Sequence, residues 1–467
     1  MTLIKSISGI RGTIGGMNGE GLGPLDVVRF TASYHEFMLK KSGKKQLTIV
    51  LGRDARISGP MINHLVTGTL MAMGARVIDC GLSTTPSVEM AVIRHGASGG
   101  IILTASHNPR QWNALKLLNE KGEFLGAEEG AEILRIAESG NFNLSGVDEL
   151  GHCTEDVDSI HEHIKAILQL PLVDLAAIQK AGFVVCVDAV NSTGGLAMPA
   201  LLEALGVKRV EKLHCEPDGH FAHNPEPLPE NLEELSQLVV KKKAHLGFAV
   251  DPDVDRLAIV DENGDMFGEE YTLVAVADYV LKQKAGNTVS NLSSTSALRD
   301  ITVKAGGQYF PSAVGEVNVV AMMKEKNAVI GGEGNGGVII PELHYGRDAL
   351  AGAALFLSHL ARTKCSCSAL RSTYPDYYIS KNKIEAGQDC NLQDILDKVS
   401  KKYSKQPRNH TDGLRIDFGS EWVHLRKSNT EPIIRIYAEA DSMTKADHLA
   451  EKIIQDIREL LRSQSED

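Results

Sequence analysis

The sequence lacks the cysteine spacing that marks a zinc site or a disulfide framework. Its seven cysteines are scattered and no C-x-x-C pair occurs; only Cys365 and Cys367 lie close together, as C-S-C. An odd number of scattered thiols is typical of a reduced, intracellular protein. We therefore expect free thiols, no zinc or disulfide framework, and a cytoplasmic protein.

Long apolar runs are also missing. The longest candidate, residues 349–361, is interrupted by Ser358 and His359, and Met1–Gly12 has no apolar signal-peptide core. The formal net charge is −11, which argues against a general affinity for nucleic acid or anionic membrane. We expect no membrane or nucleic-acid partner, although the charge still permits a locally basic pocket.

The length and the alternation of apolar segments predict several α/β domains. The chain has 467 residues, 43% of them hydrophobic and 23% charged, enough for three or four ordinary domains. Predicted strands alternate with predicted helices and this pattern restarts twice, which is typical of mostly parallel sheets covered by helices. Polar stretches at residues 139–154 and 368–381 are plausible boundaries.

The stretch T-A-S-H-N-P follows the apolar run Ile101–Leu103. Pro109 removes a backbone donor and keeps Asn108 out of the helical region, so the segment is predicted to be a loop at a strand end. Ligands bind at that edge of an open α/β sheet. Ser106 is therefore a candidate nucleophile, although Ser, Asn and Pro are also ordinary turn residues.

A second polar stretch, D-P-D-V-D-R, contains Asp251, Asp253 and Asp255 at a spacing of two. Carboxylates this close repel one another, and a hard divalent cation offsets that repulsion. An EF-hand begins in the same way, but it needs glycine where Arg256 stands, and the flanking apolar runs are short and strand-like. A strand–loop–strand that holds Mg²⁺ beside an anion-binding arginine is the better interpretation.

Two further loops have unusual composition. G-G-E-G-N-G-G, residues 331–337, surrounds Glu333 and Asn335 with glycines, which suits sugar hydroxyls or an amine better than phosphate. R-K-S-N-T-E-P, residues 426–432, places two cations beside three short polar side chains and favours phosphate binding. Arg435 lies just beyond it. The histidines of D-G-H-F-A-H, His220 and His223, are expected to be surface histidines rather than metal ligands.

Taken together and in this order, the four stretches resemble those of the α-D-phosphohexomutase superfamily over essentially the whole chain. The resemblance implies an α/β fold: three similar α/β domains with mixed, mostly parallel sheets and a smaller C-terminal α+β domain, around a central cleft. The expected domains are residues 1–150, 151–260, 261–375 and 376–467.

The resemblance also implies roles for individual residues. Ser106 carries a phosphoryl group, and Mg²⁺ is held by this serine with the three aspartates. The remaining catalytic positions are Arg11, His107, Lys116 and Arg256, with Lys116 the expected general acid/base. The substrate-binding positions are Glu333, Asn335, Arg426, Ser428, Asn429, Thr430 and Arg435.

The reaction implied is the interconversion of hexose 6-phosphate and hexose 1-phosphate through a hexose 1,6-bisphosphate. Where the family's sugar loop commonly has Ser and His, this chain has Asn335 and Gly337, and His344 is a possible substitute. Glucosamine phosphate is the favoured substrate, with a phosphomannomutase/phosphoglucomutase of dual specificity as the alternative. Two competing classes are a Mg²⁺-dependent phosphatase, which the two separate phosphate loops argue against, and a non-catalytic sugar-phosphate sensor, which the intact Ser106 and the three aspartates argue against. The protein is expected to be a monomer or homodimer.

Overall fold

The computed structural model describes residues 2–6, 9–17, 19–385, 391–427 and 433–465. Contacts group the chain into two units: the first comprises Met1–Gln283 and Asn335–Arg371, the second Lys284–Gly334 and Ser372–Asp467. No helix in the described ranges is both long and apolar enough to span a bilayer.

The N-terminal part of the first unit is built on one mixed sheet. Its strands are β1 (Ile4–Ser6), β2 (Gly9–Thr13), β3 (Thr48–Arg53), β4 (Arg76–Leu82), β5 (Gly99–Leu103), β6 (Trp112–Leu118) and β7 (His152–Glu155), in the order β1-β2-β6-β5-β3-β4-β7. Its helices are α1 (Pro24–Ser42), α2 (Gly59–Ala72), α3 (Thr85–Arg94) and α4 (Ala127–Ser139). Strand β5 is buried along its whole length and pairs in parallel with β3, which matches its uninterrupted apolar sequence.

The N-terminal residues differ from what their composition suggests. Considered alone, the glycine-rich stretch 8–16 favours a flexible turn, but Gly9–Thr13 forms β2, which pairs antiparallel with β6. Ile10 of β2 packs into the same buried cluster as Leu115 of β6. The pairing partners, more than one hundred residues away in sequence, therefore decide the conformation of this segment.

The next part of the first unit contains a four-stranded sheet. Its strands are β8 (Val184–Asp188), β9 (Arg209–Leu213), β10 (Leu246–Val250) and β11 (Leu257–Asp261), in the order β11-β10-β8-β9. The helices here are α5 (Ser159–Leu168), α6 (Leu175–Ala181), α7 (Gly194–Ala204), α8 (Glu233–Lys242) and α9 (Tyr271–Gln283). The strands β10 and β11 form an antiparallel hairpin in which Val250 pairs with Leu257, so the predicted strand–loop–strand is confirmed.

Residues 284–371 pass through the second unit and return to the first. In the second unit β12 (Asn287–Asn291) pairs in parallel with β13 (Tyr309–Ser312) and β14 (Ala328–Glu333), accompanied by α10 (Ser296–Lys304) and α11 (Glu316–Glu325). The first unit is completed by β15 (Gly337–Ile339), α12 (Ala349–Thr363) and α13 (Cys367–Arg371). Helix α12 is buried over most of its length, as its apolar sequence requires.

The C-terminal part of the second unit is an antiparallel sheet. Its strands are β16 (Tyr378–Glu385), β17 (Arg408–Asn409), β18 (Leu414–Asp417), β19 (Trp422–Lys427) and β20 (Ile433–Ala440), in the order β16-β20-β19-β18-β17. Helices α14 (Leu392–Lys402) and α15 (Met443–Ser465) pack their apolar faces on one side of it. The stretch 368–381, expected to be a boundary, contains the end of α13 and the start of β16.

Candidate active site

Ser106 lies on the loop that follows β5, in a strained conformation. Its φ is +48°, a value that non-glycine residues seldom adopt. The Thr104 hydroxyl accepts a hydrogen bond from the Ser106 amide at 2.9 Å. The Ser106 hydroxyl donates to Oδ2 of Asp251 at 2.7 Å, whereas Nδ1 of His107 is 3.3 Å away. The nearest partner of the serine is therefore an aspartate of the predicted metal loop.

Arg56 holds this loop in place, a role that sequence reasoning missed. Its guanidinium is fully buried and bonds Asp54 at 3.0 Å, while Asp54 also accepts from the Thr104 hydroxyl at 2.6 Å. The same guanidinium donates to three backbone carbonyls of the serine loop and to the first carbonyl of β6: those of Ser106, Asn108, Pro109 and Trp112. The loop itself pairs the Pro109 carbonyl with the Trp112 amide at 2.9 Å, and the five-donor fork of arginine gives all four carbonyls a side-chain donor.

Asp251, Asp253 and Asp255 lie on the loop between β10 and β11, all with 0% exposure. Carboxylate oxygens of the three lie within 4.8 Å of one another. Oδ1 of Asp253 and Oδ1 of Asp255 are buried and accept no hydrogen bond, which is costly for a carboxylate unless a cation binds there. This observation fits a divalent ion, because an all-oxygen set is what Mg²⁺ prefers.

The electrostatics of the triad agree with such a site. Burial, followed by repulsion from Asp255 and Asp253, raises the pKa of Asp251 well above its usual value. Burial also acts to raise the pKa of Asp253, but the Lys116 ammonium outweighs it and holds this pKa below its usual range. Burial and mutual repulsion thus oppose a negative charge on Asp251, while Lys116 stabilises the negative charge on Asp253.

Lys116 lies on β6 and reaches the triad directly. Its Nζ is 2.7 Å from Oδ2 of Asp253 and 3.5 Å from Oδ2 of Asp255. Burial acts to lower the pKa of Lys116, but the two aspartates outweigh it and raise the pKa. The lysine is therefore an ammonium in this arrangement.

Arg11 and Arg347 add cations to the same unit. Arg11 pairs across the sheet with Ala114, which puts its side chain on the face of β6 that also carries Lys116. Arg347, which sequence reasoning missed, binds Oδ2 of Asp255 at 2.6 Å. No local motif marks Arg347, because its partner lies far away in the sequence.

Arg256 and His107 share a carboxylate that sequence reasoning also missed, Glu226. Oε1 of Glu226 is 3.6 Å from Nη1 of Arg256 and 4.0 Å from Nε2 of His107. Burial, with Arg256 next, lowers the pKa of His107 to about 3, so its ring is neutral at physiological pH. Arg256 thus faces an anionic oxygen beside the serine loop.

The predicted sugar-binding residues fall in different units. Glu333 ends β14 in the second unit, where its Oε1 accepts from Nδ2 of Asn291 at 2.9 Å and from the Gly315 amide at 3.0 Å. Asn335 belongs to the first unit, where its Oδ1 accepts from the Gly337 amide at 3.2 Å. Each side chain is thus held by its own local hydrogen bonds.

The suggestion that His344 replaces the missing sugar histidine stays a prediction, and the surroundings of this residue argue against it. His344 is 5% exposed, with Nδ1 3.2 Å from Glu89 and Nε2 3.2 Å from Asp348. Asp348 also binds Nε2 of His163 at 2.9 Å and caps the start of α12. Both nitrogens of His344 thus lie next to buried carboxylates, a setting that suits a core histidine better than a contact to a sugar hydroxyl.

Three cations lie in a row on the sheet of the second unit. Arg435 of β20 pairs with Arg426 of β19 on one side and with Lys383 of β16 on the other. Directly paired residues project to the same face, where like charges repel. Nε of Arg426 is 2.8 Å from Asp412. Sequence reasoning missed Lys383, and the predicted Ser428, Asn429 and Thr430 lie outside the described residues.

With this geometry established, comparison with known proteins identifies the family. The chain matches four models of the phosphoglucomutase/phosphomannomutase family, one for each domain of that family. Residues 4–144 match α/β/α domain I, residues 161–264 match α/β/α domain II, residues 268–377 match α/β/α domain III, and residues 387–456 match the C-terminal domain.

Curated relatives and solved structures match over nearly the whole length. A phosphoglucomutase/phosphomannomutase of Thermococcus kodakarensis is 37% identical over 91% of this chain and 93% of its own. A probable phosphoglucosamine mutase of Methanopyrus kandleri is 31% identical over 97% of both. The crystal structure of a phosphoglucomutase/phosphomannomutase family protein from Burkholderia thailandensis, 26% identical, superposes with a TM-score of 0.83 over 99% of this chain and 98% of that one. The predicted fold class is confirmed, and the chain belongs to the phosphoglucomutase/phosphomannomutase family and is a phosphohexomutase.

Proposed function

We propose that this phosphohexomutase interconverts glucosamine 6-phosphate and glucosamine 1-phosphate by way of a phosphoserine at Ser106. The observation that carries the proposal is the hydrogen bond of 2.7 Å from the Ser106 hydroxyl to Asp251, within a buried triad of aspartates. A nucleophile bonded to a candidate metal site is the arrangement that phosphoryl transfer needs.

In the proposed reaction phospho-Ser106 donates its phosphoryl group to a sugar monophosphate. The sugar hydroxyl oxygen forms the new P–O bond while the bond from phosphorus to Oγ breaks, giving hexose 1,6-bisphosphate. The hydroxyl loses one proton and Oγ gains one, and Lys116 is the proposed carrier between them. The bisphosphate then turns and returns its other phosphate to Ser106.

Other residues are proposed to bind the transferring phosphoryl group and the sugar. Arg11, Arg256 and His107 are proposed to contact the phosphoryl group near Ser106, where Glu226 now faces Arg256 at 3.6 Å. Mg²⁺ held by Ser106, Asp251, Asp253 and Asp255 would neutralise charge that develops on the transferring group. Glu333 and Asn335 are proposed to bind sugar hydroxyls.

The second phosphate is proposed to bind the cation row of the second unit. Arg426 and Arg435 lie on neighbouring strands beside the segment that contains Ser428, Asn429 and Thr430. An anion there relieves the repulsion between paired arginines. Because a simple phosphatase needs one phosphate site and not two, this row favours a mutase.

Substitution of Arg435 by alanine tests this phosphate site. We expect KM for the sugar monophosphate to rise roughly ten- to hundredfold, because a charge-assisted contact to phosphate is lost. Lys381→Ala is the matched control, since Lys381 is an exposed cation two residues from Lys383 on the same strand, paired with Tyr437 instead of an arginine. Equal kinetic effects of the two substitutions would place the second phosphate elsewhere.

The choice of sugar has one competitor with specific support. The relative from Thermococcus kodakarensis that is 37% identical is named for glucose and mannose phosphates, which favours dual specificity on those sugars. Turnover of glucosamine 6-phosphate, mannose 1-phosphate and glucose 1-phosphate should be compared with Mg²⁺ and a trace of hexose 1,6-bisphosphate. Faster isomerisation of glucosamine phosphate supports the proposal, whereas comparable rates on mannose and glucose phosphates establish the alternative.

A further inference from the structure

A second cluster of side chains of the kinds that bind metal ions surrounds Asp188, the last residue of β8. Nδ1 of His214 and Nε2 of His223 lie 3.2 and 3.1 Å from Oδ2 of Asp188. The other oxygen of Asp188 accepts from the Val190 amide at 3.0 Å, which fixes the orientation of the carboxylate. His223, expected from the sequence to be a simple surface histidine, therefore converges with His214 on one buried oxygen.

The outer nitrogen of each ring faces an oxygen acceptor. Nδ1 of His223 is 2.8 Å from the Asn224 carbonyl, and Nε2 of His214 is 3.5 Å from the Glu234 carboxylate. A carbonyl cannot donate, so Nδ1 of His223 carries the proton of its ring. In the neutral ring the lone pair on Nε2 then points at the Asp188 carboxylate, and the two repel unless Nε2 takes up a proton or a metal ion lies between them. Histidine metal ligands are oriented by just such outer acceptors.

The distances suit a tetrahedral ion. With metal–ligand bonds of about 2.0–2.1 Å, neighbouring ligand atoms of a tetrahedral site lie about 3.3 Å apart. The two N···O distances, 3.1 and 3.2 Å, are close to that value, and all three ligand atoms lie within 4.8 Å of one another. Asp188 is 1% exposed, whereas each histidine side chain is 18% exposed, so the histidine side of the cluster opens to solvent.

We propose that Asp188, His214 and His223 form a binding site for a transition-metal ion, with Zn²⁺ the best match. Two imidazoles and one carboxylate suit Zn²⁺ and its first-row neighbours, while Mg²⁺ prefers oxygen ligands. The site therefore differs in chemistry from the all-oxygen triad at Asp251. Three protein ligands leave a fourth position for water.

Such an ion would tie together three segments of the first unit. It would link the end of β8, the residue after β9 and the loop that continues from His223 to Glu226. Glu226 faces Arg256 and His107 at 3.6 and 4.0 Å. The ion would thus restrain the position of a carboxylate beside the serine loop, which makes the proposed role structural. This proposal is independent of the sugar that the enzyme uses.

Metal titration of the full-length protein tests the site. The protein is stripped with a chelator and kept in excess Mg²⁺, which competes for the aspartate triad. Zn²⁺ binding is then measured by equilibrium dialysis, and Co²⁺ is used as a spectroscopic probe of nitrogen ligation. We expect one Zn²⁺ per chain, and for His223→Gln a loss of affinity greater than the roughly 10–100-fold that removal of an outer partner costs.

Three further variants make the result decisive. Two of them should keep full Zn²⁺ affinity. His220→Gln changes an exposed histidine on the same loop, and Asp251→Asn changes the aspartate triad. His214→Gln should lose it and replaces His223→Gln if that variant does not fold. The proposal is overturned if wild type binds no Zn²⁺ in excess Mg²⁺, which would mean that protons alone occupy the cluster. Equal affinities of wild type and His223→Gln, or loss of binding in Asp251→Asn, would overturn it as well.

Discussion

Replacing Ser106 by alanine is expected to reduce isomerisation by at least about 10³-fold, because the proposed acceptor and donor of the phosphoryl group is removed. The fold should persist, since the backbone contacts of the loop are made by Arg56 and not by the serine hydroxyl. Coupled-assay turnover and far-UV circular dichroism measure the two quantities. Binding of the sugar monophosphate should survive, because the cation row of the second unit is unchanged.

Ser83→Ala is the matched control for this substitution. Ser83 is also buried and directly follows a strand of the same sheet, β4, but its hydroxyl bonds Ser159 at 3.2 Å and not the aspartate triad. We expect its turnover to stay within a few-fold of wild type. Full activity in Ser106→Ala would rule out the phosphoserine, and a ligand response with no turnover even in wild type would indicate a sensor.

Replacing Arg56 by methionine is expected to have the second-largest effect, acting on stability and turnover together. The substitution leaves the fully buried Asp54 carboxylate without its ion-pair partner and removes the guanidinium that donates to the carbonyls of Ser106 and Asn108. Breaking a buried ion pair costs about 3–5 kcal/mol of unfolding free energy. Turnover should also fall, because the loop that positions Ser106 loses its anchor.

A double variant separates these two effects. In Asp54→Asn/Arg56→Met the buried carboxylate is gone, so chemical denaturation should show that part of the lost unfolding free energy is recovered. Turnover should stay low, because the loop carbonyls still lack their arginine. If turnover recovered in step with stability, Arg56 would have no role in positioning the serine.

The sequence predicted those parts of the site whose residues stand close together along the chain. The three aspartates and their hairpin could be predicted because repelling carboxylates and flanking apolar runs lie within a dozen residues. Ser106 could be predicted because a proline-containing loop follows a buried strand. Arg56 was harder to predict, although it stands in G-R-D-A-R at the end of β3, a strand parallel to β5. The ends of neighbouring parallel strands meet at one edge of a sheet. The position of Arg56 just beyond β3 could therefore have predicted that it lies near the serine loop.

Residues whose role depends on distant partners could not be predicted. Arg347 and Glu226 are ordinary loop residues until folding brings them to Asp255 and Arg256. Strand β2 and Lys383 were missed for the same reason, since cross-strand pairing defines them. The domain limits at residues 150, 260 and 375, and the roles of Ser428, Asn429 and Thr430, stay predictions.

Phosphate exchange at Ser106 is the central claim, and one labelling experiment tests it most directly. The enzyme is incubated with Mg²⁺, a hexose monophosphate and hexose 1,6-bisphosphate that carries radiolabel in both phosphates. We predict label on the peptide that contains Ser106 and in both the 1- and 6-monophosphates, with little free phosphate. Label released only as inorganic phosphate, or an unlabelled Ser106 during active turnover, would contradict the account.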